Sequence, residues 1–192
     1  MFMAINEINK KMNLNIQFEE YKKFLGLPFE QIMKKLSITK NVKIVKKKYQ
    51  FYSSKYINKI CINKNLLIEL KILKKNYLLS VFTSKDRLRS LKILKKYKLF
   101  DYFVTSDDVR QGKPNPEGLT KIMKKFKVTR KECIFFGDSI YDYTASKAAN
   151  ISYVHAGWGY EKFKNTKKKI IQIKKYTDIK KIISTKEKLL NK

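Results

Sequence analysis

A run of nine residues, Ile134-Phe135-Phe136-Gly137-Asp138-Ser139-Ile140-Tyr141-Asp142, decides how the chain is interpreted. Its apolar start followed by glycine predicts a buried strand that ends at a turn. Two carboxylates follow, four residues apart, near one face of the next helical turn. Clustered carboxylates repel unless a cation lies beside them, and their hard oxygens suit Mg²⁺. Asp138 and Asp142 are therefore candidate magnesium ligands, with helix capping by Asp138 as the alternative.

Two other polar segments lie earlier in the chain, and each is next to a predicted strand or helix. Thr83-Ser84-Lys85 ends an apolar stretch just before a predicted helix at Asp86, where hydroxyls and backbone amides favour an anion. An ordinary helix cap is the alternative explanation. Gly112-Lys113-Pro114-Asn115-Pro116 places a lysine before two prolines, and a stiff backbone lowers the entropy lost when its ammonium group holds a phosphate. A plain turn would give the same pattern.

The hydrophobic pattern divides the chain at about residue 65. Apolar residues recur at helical spacing from Ala4 to about Ile60, and Pro28 is placed to start a helix, which predicts a helical bundle over 1–64. Short apolar runs then alternate with helical patterns, which predicts an α/β core over 65–192 with a doubly wound parallel sheet. Strands are predicted at Tyr77–Phe82, Tyr102–Val104, Cys133–Phe136, Ile151–His155 and Ile170–Ile173.

The helices between these strands are predicted to bury apolar faces against the sheet. One of them, from Asp86 to Tyr97, is predicted to turn Leu88, Leu91 and Leu94 inward. Functional loops of such sheets lie at the carboxyl ends of the strands. One common pocket is therefore expected to be lined by Thr83, Lys113, Asp138 and Asp142.

Composition limits the classes of function. The chain has 192 residues and a net charge of +29, supplied almost entirely by lysines spread along its length. Sequence-specific nucleic-acid recognition favours arginine, so a solvated lysine-rich surface is expected and no specific nucleic acid. No apolar run reaches the roughly 18 residues of a membrane span, which predicts a cytoplasmic protein without a membrane partner. Cys61 and Cys133 lack metal-ligand spacing and are expected to be reduced, partly buried thiols.

In this order, the three polar segments resemble those of the haloacid dehalogenase-like (HAD) superfamily, most closely its phosphoglycolate phosphatase-like branch. The resemblance extends over about residues 4–181. It implies a HAD-like Rossmannoid core and a helical cap over 1–64. It also implies Mg²⁺-dependent hydrolysis of a small phosphorylated metabolite through an aspartyl-phosphate, because family enzymes work in this way.

The resemblance also implies a role for each matching residue. Thr83, with Ser84 beside it, resembles the hydroxyl that binds phosphoryl oxygens, and Lys113 resembles the cation that neutralises phosphate. Thr83 and Lys113 are therefore the catalytic candidates. Asp138 and Asp142 resemble the magnesium-binding pair of the motif Gly-Asp-Ser-x-x-Asp.

The chain departs from the family at one motif. The family's first strand carries Asp-x-Asp-x-Thr, which supplies the nucleophile, and no two aspartates of this chain stand two residues apart. The core over 65–192 is therefore expected to lack its first strand, and a truncated coding region is one expected cause. Negligible phosphatase activity is expected of the chain as given, and a sheet deprived of a middle strand is expected to expose an apolar slot.

Two other functions remain open from the sequence. A non-catalytic phosphate or phosphometabolite binder would keep Thr83, Lys113 and the acidic pair. A basic nucleic-acid-binding protein on a degenerate scaffold would use the lysine surface, with an affinity that falls steeply as salt rises. The residues indicate neither the substrate's identity nor the oligomeric state.

Overall fold

The computed structural model describes residues 1–160 and 170–190. Helices dominate the first 64 residues: α1 (Phe2–Met12), α2 (Phe18–Lys22), α3 (Phe29–Lys35) and α4 (Val42–Lys55). Pro28 directly precedes α3, where its fixed φ suits a helix start. The four helices share an apolar core that includes Ile5, Ile8 and Met33. The extent of a cap domain over 1–64 stays a prediction.

Helices and parallel strands alternate in the rest of the chain, so the predicted α/β class is confirmed. The elements are α5 (Lys64–Leu73), β1 (Ser80–Phe82), α6 (Arg87–Leu94), β2 (Tyr102–Val104), α7 (Glu117–Phe126), β3 (Ile134–Gly137), α8 (Ile140–Ala148), β4 (Ser152–Ala156), β5 (Ile171–Ile173) and α9 (Asp178–Leu190). The first strand is shorter than predicted, because regular pairing begins only at Ser80.

The strands form two parallel groups with helices on both faces. β1 pairs with β2, and β4 lies between β3 and β5. Leu119 of α7 and Ala145 of α8 pack with Phe82 on one face. On the other face, Leu73 of α5 and Ile179 of α9 pack with β4 and β5. Helices on both faces make the architecture doubly wound, as predicted. Within the described ranges, no hydrogen-bonded pairing joins β1 to β3.

The inward face of α6 differs from the prediction. Leu88 is 63% exposed, whereas the next residue, Arg89, is 7% exposed. The Arg89 guanidinium pairs with Asp86, donates to Ser53 Oγ at 2.8 Å and lies 5.1 Å from the Tyr49 ring centroid. A buried charge needs such partners, and α4 supplies two of them, so Arg89 joins the helical segment to the core.

Two smaller expectations can be compared directly with the coordinates. Both cysteines are free thiols, but Cys61 is exposed rather than partly buried. Among the helices of the described ranges, none combines the length and the apolarity needed to cross a membrane.

The buried Arg89 pair predicts a stability difference between two arginines of α6. Arg89→Ala should lower the free energy of unfolding by about 3 kcal/mol, because Asp86 would stay buried without its partner. Arg87→Ala is the matched control, since Arg87 pairs with Asp108 in solvent and should cost less than about 1 kcal/mol. Urea unfolding of both variants measures the difference. Equal losses would contradict the bridging role of Arg89.

Candidate functional site

The predicted site residues meet in one cavity. Its volume is about 600 Å³, and its lining includes Thr83, Ser84, Lys113, Asp138 and Asp142. The cavity lies at the carboxyl ends of β1 and β3, and the loop around Gly26 and Leu27 of the helical segment forms part of its wall. The convergence expected from the sequence is therefore observed. The chemical role of each residue stays a prediction.

A buried ion pair lies at the centre of this cavity's floor. Lys113 is 6% exposed and Asp142 is 4% exposed. Lys113 Nζ donates to Asp142 Oδ1 at 2.7 Å and to the carbonyl oxygen of Phe82 at 3.3 Å. The ammonium group also lies 5.1 Å from the Phe82 ring centroid. Lys113 is followed by a cis peptide bond to Pro114. The lysine thus bridges the end of β1 and the first turn of α8.

The first turn of α8 fixes the second oxygen of Asp142. Oδ2 accepts from Ser139 Oγ at 2.7 Å and from the amides of Asp138 and Ser139 at 3.2 Å each. Ser139 caps the helix and Asp142 completes the capping box, so Asp138 is not the cap. A Cβ on Gly137 would come within 2.4 Å of Asp142 Cβ. Glycine at 137 is therefore needed for this close approach.

Electrostatics keep Asp142 ionised. Burial alone would raise the pKa of its carboxyl, but the Lys113 charge and hydrogen bonds from Lys113, Ser139 and the Asp138 amide outweigh burial. The net result is a pKa of Asp142 below its usual value of 3.8. Asp142 is therefore ionised at neutral pH, and the neighbouring Lys113 charge stabilises it inside the fold.

Asp138 is held from the opposite side by the loop after β4. Its Oδ2 accepts from the amide of Tyr160 at 3.0 Å. A Cβ on Gly159 would lie 2.1 Å from Asp138 Cβ, so this loop can approach only because residue 159 is glycine. Gly159 and Tyr160 were not among the residues predicted from the sequence to form the site. The sequence feature that could have predicted them is a glycine three residues after the end of β4.

The residues present allow a magnesium ion with few protein ligands. No group of three or more His, Cys, Asp or Glu that could hold a metal occurs among the described residues. Mg²⁺ commonly takes one or two carboxylates and completes its shell with water and phosphate oxygens. Asp138 fits that arrangement. Both oxygens of Asp142 already accept hydrogen bonds, which suits a residue that positions Lys113. The magnesium roles of both acids stay predictions.

The two predicted phosphate-binding hydroxyls have different partners. Thr83 Oγ1 accepts from the Lys85 amide at 3.2 Å and remains at the cavity wall. Ser84 Oγ donates to the carbonyl oxygen of Gly26, so it ties the helical segment to the core. Gly26 has φ +107°, a conformation that suits glycine, and a Cβ there would lie 2.7 Å from Ser139 Oγ.

Lys85 is a cavity residue to which the sequence analysis gave no role of its own. Within 4.0 Å of its Nζ, no carboxylate of the described residues forms an ion pair. Burial, and then the neighbouring charge of Arg89, lower the pKa of Lys85 from 10.5 to about 8. In the sequence, only the position of Lys85 next to Thr83 and Ser84 indicated that it could line the site. The charge of Asp86 raises the pKa of Lys85 only in part, and a half-buried cation without an ion-pair partner among the described carboxylates favours an anion.

The fold and the cavity define an α/β protein with an anion-attracting pocket at the carboxyl edge of a parallel sheet. The sequence matches the model of the haloacid dehalogenase-like hydrolases over residues 1–156, which is most of the chain. This chain belongs to the haloacid dehalogenase-like hydrolase family. The resemblance found in the sequence is confirmed at that level.

Solved structures share the fold. A Lactobacillus plantarum protein, assigned by prediction to the phosphoglycolate phosphatases, has a TM-score of 0.84 at 21% identity, covering 93% of this chain and 88% of its own. A predicted phosphoglycolate phosphatase from Haemophilus somnus has a TM-score of 0.76 at 24% identity, with the same coverage. A hydrolase from Pseudomonas syringae has a TM-score of 0.75 at 24% identity, covering 83% and 78%. No curated protein matches the sequence.

The ion pair predicts an acid-dependent loss of stability. The pKa of Asp142 is depressed in the folded state, so its contribution is present above pH 3.8 and is lost as pH falls through the folded-state pKa. Asp142→Asn should therefore cost about 3 kcal/mol near neutral pH and progressively less as pH falls below 3.8. Urea unfolding at a series of pH values measures this difference.

The matched control is Asp178→Asn, which changes a carboxylate at the start of α9 that lies 3.8 Å from Lys181. Its cost should be small, at most about 1 kcal/mol. A penalty for Asp142→Asn that stays constant from neutral to acid pH would show that Asp142 does not act through its charge.

Proposed function

We propose that this chain supplies the phosphate-holding and magnesium-holding part of a phosphatase site for a small phosphorylated metabolite. The observation that carries the proposal is the convergence of Thr83, Lys113, Asp138 and Lys85 on one cavity at the carboxyl edge of the sheet. Family membership gives hydrolysis as the general reaction. The names of two structural relatives, both phosphoglycolate phosphatases by prediction, support phosphomonoesters as the substrate class.

The charge balance of the cavity supports an anionic ligand. Its lining contains five basic side chains, Lys22, Lys23, Lys85, Arg89 and Lys113, and three acidic ones, Glu19, Asp138 and Asp142. Lys22 pairs with Glu19 in solvent, and Lys113 pairs with Asp142 in the interior. Lys85 forms no ion pair with a described carboxylate, and the neighbouring Asp86 charge only partly offsets the lowering of its pKa by burial and Arg89. A phosphate dianion would supply a paired negative charge.

Each residue has a distinct part in the proposed site. The hydroxyl of Thr83 donates to a phosphoryl oxygen, and Lys113 lies where its charge can neutralise another. Asp142 orients Lys113 through the 2.7 Å contact. Asp138 is the carboxylate that would hold Mg²⁺, and a bound ion would supply further neutralisation of phosphoryl charge. Ser84 holds the loop of the helical segment over the cavity, where closure excludes water.

These parts position and neutralise a phosphate but do not include an acid available for attack on phosphorus. Among the cavity's described carboxylates, Asp142 is committed to Lys113, Glu19 pairs with Lys22, and Asp138 faces the proposed cation. Covalent phosphoryl transfer needs a nucleophile within reach of phosphorus. Residues 1–192 are therefore expected to bind phosphate with little or no turnover, as a non-catalytic binder would.

Calorimetry with inorganic phosphate tests the proposal. Phosphate should bind to the wild-type chain, and Mg²⁺ should strengthen binding, because the cation offsets charge beside Asp138. Thr83→Val should weaken binding about tenfold through loss of one hydroxyl donor to a charged group. Asp138→Asn should keep phosphate binding but remove its dependence on Mg²⁺.

The control for Thr83→Val is Thr144→Val, which removes an exposed hydroxyl on α8 and should leave affinity unchanged. Absence of phosphate binding by a folded sample would overturn the proposed function. Appreciable Mg²⁺-dependent hydrolysis of p-nitrophenyl phosphate by the same sample, abolished by Asp138→Ala, would instead show that this chain catalyses phosphate-ester hydrolysis by itself.

The pKa of Lys85 predicts how phosphate affinity depends on pH. Lys85 is protonated below about pH 8 and loses its charge above it, so affinity should fall as pH rises from about 7 to about 9. The loss should be roughly tenfold, the contribution of one charge-assisted hydrogen bond. Calorimetric titration at several pH values measures it.

Lys85→Met should already bind weakly at neutral pH and show a much flatter profile. Met1 lines the same cavity, and burial, Lys85 and Arg89 lower the pKa of its amino group; this group remains in the variant, where loss of the Lys85 charge should move its pKa back towards the ordinary value. Lys92→Met, at an exposed position on α6, is the matched control and should keep the wild-type profile. A profile unaffected by Lys85→Met would exclude Lys85 from the anion site.

A further inference from the structure

Acidic residues are absent from one stretch of the helical segment. None of the chain's 16 aspartates and glutamates lies between residues 31 and 68, whereas ten of its lysines do. Lysine is frequent along the whole chain, so the local excess of positive charge comes from the missing acids. A surface that only has to be soluble commonly mixes charges of both signs. This stretch therefore has a charge pattern that solubility alone does not explain.

Helix α4 presents this charge on one exposed face. The α4 outer face consists of five exposed residues that recur at helical spacing: Ile44, Lys47, Lys48, Phe51 and Lys55. Its three lysines form no ion pair with any carboxylate in the described part of the chain. The opposite side of the helix buries Val45 and Tyr49, and Tyr49 lines the site cavity. The α4 outer face is therefore turned away from that cavity.

An exposed aromatic ring lies among these lysines. Phe51 is 58% exposed, and its ring meets the ring of Tyr52 edge to face at a centroid distance of 5.2 Å. Lys55 Nζ lies 4.7 Å from the Phe51 ring centroid and 5.5 Å from the Tyr52 ring centroid. Positive charge thus lies directly beside an aromatic surface. Proteins hold single-stranded nucleic acids with this combination, because cations pair with phosphates while aromatic rings stack on bases.

An anionic membrane would attract the same lysines, but the α4 outer face suits it less well. A helix that lies in a bilayer surface buries a broad apolar face among the lipids. The apolar face of α4 is already buried in the helical core, where Val45 is 1% exposed and Tyr49 is 4% exposed. On the α4 outer face, Ile44 and Phe51 lie two turns apart with lysines between them. Separate charges around one ring fit a flexible chain of phosphates and bases better than a bilayer.

We propose that the α4 outer face binds single-stranded nucleic acid without sequence preference. Phe51 stacks on a base, while Lys47, Lys48 and Lys55 hold backbone phosphates. Lysine supplies point charge and lacks the planar fork with which arginine recognises base edges, so the contacts are to the backbone and to base faces. This activity is separate from the proposed phosphatase site, which lies on the other side of α4.

Fluorescence anisotropy of the full chain with a labelled oligonucleotide of about 12 nucleotides, without terminal phosphates, tests the proposal. Three phosphate contacts to a single strand predict a slope of about −2 when the logarithm of affinity is plotted against that of salt concentration. Affinity should therefore fall roughly twentyfold between about 50 and about 200 mM salt. A duplex of the same length should bind about fivefold more weakly, because its bases already stack on one another. Affinity independent of salt, or a duplex that binds equally or more tightly, would overturn the proposal.

Paired lysine variants separate the α4 outer face from the overall charge. Lys47→Gln with Lys48→Gln should reduce the salt slope by about 1.4, the share of two phosphate contacts, and weaken binding at low salt about tenfold or more. The matched control is Lys124→Gln with Lys125→Gln, which removes the same charge from two neighbouring exposed lysines of α7 and should change the slope little. Equal losses in the two double variants would show that net charge alone attracts the strand, which would overturn the assigned surface.

Stacking on Phe51 is tested with an abasic strand, which keeps the sugar-phosphate backbone and lacks bases. The wild-type chain should bind the abasic strand about tenfold more weakly than the complete one. Phe51→Ala should bind the two strands equally, whereas Ile171→Ala, at a similarly exposed apolar position on β5, should keep the wild-type preference. Circular dichroism checks that each variant is folded. A preference for bases that survives in Phe51→Ala would exclude Phe51 as the stacking residue.

Two further measurements distinguish this surface from other anion sites. Vesicles of phosphatidylserine and phosphatidylcholine test the membrane: variants of the α4 outer face that lose vesicle binding but keep oligonucleotide binding would overturn the proposed partner. Saturating inorganic phosphate at constant ionic strength should leave the oligonucleotide bound, and Thr83→Val should bind it as the wild-type chain does. Displacement by phosphate would place the strand in the site cavity and contradict the proposal. Strand binding can therefore fail while phosphate binding succeeds, and the reverse.

Discussion

The ion pair between Lys113 and Asp142 is the interaction on which the site depends. Lys113 reaches the end of β1 from the α7 side of the sheet, while Asp142 belongs to the first turn of α8. Two charges taken out of water are tolerable only because each has the other and a set of hydrogen bonds. The pair thereby fixes the distance between two strand ends that share no backbone pairing in the described structure.

The ion pair makes the surroundings of Asp142 different from those of Asp138. Both oxygens of Asp142 already accept hydrogen bonds, which supports the proposal that Asp142 acts by positioning Lys113. Asp138, one turn earlier, lies at the cavity with the Gly159 loop packed against it. Spacing in the sequence made the two acids look equivalent. Their hydrogen bonds distinguish a proposed positioning residue, Asp142, from a proposed cation ligand, Asp138.

The site cavity and a second cavity of about 610 Å³ between β1 and β3 are two consequences of one arrangement. Parallel strands bring Thr83 and Asp138 to a common edge, and the open space between the same strands leaves β3 partly exposed. The apolar lining of the second cavity is shared by α5, α9, β1 and β3, so its shape is held from several sides.

The sequence by itself determined the alternation of strands and helices, the α/β class, the family, and the residues at the strand ends, because periodicity and short motifs are local properties. The ends of the strands were less well predicted, since β1 begins only at Ser80, where β2 is available to pair with it. Leu88 was predicted to be inward, but burial of Arg89 depends on Ser53 and Tyr49, far away in the chain. Only the tertiary structure could decide such pairings, the different hydrogen-bond partners of Asp138 and Asp142, and the lowered pKa of Lys85, because each depends on neighbours that folding brings together.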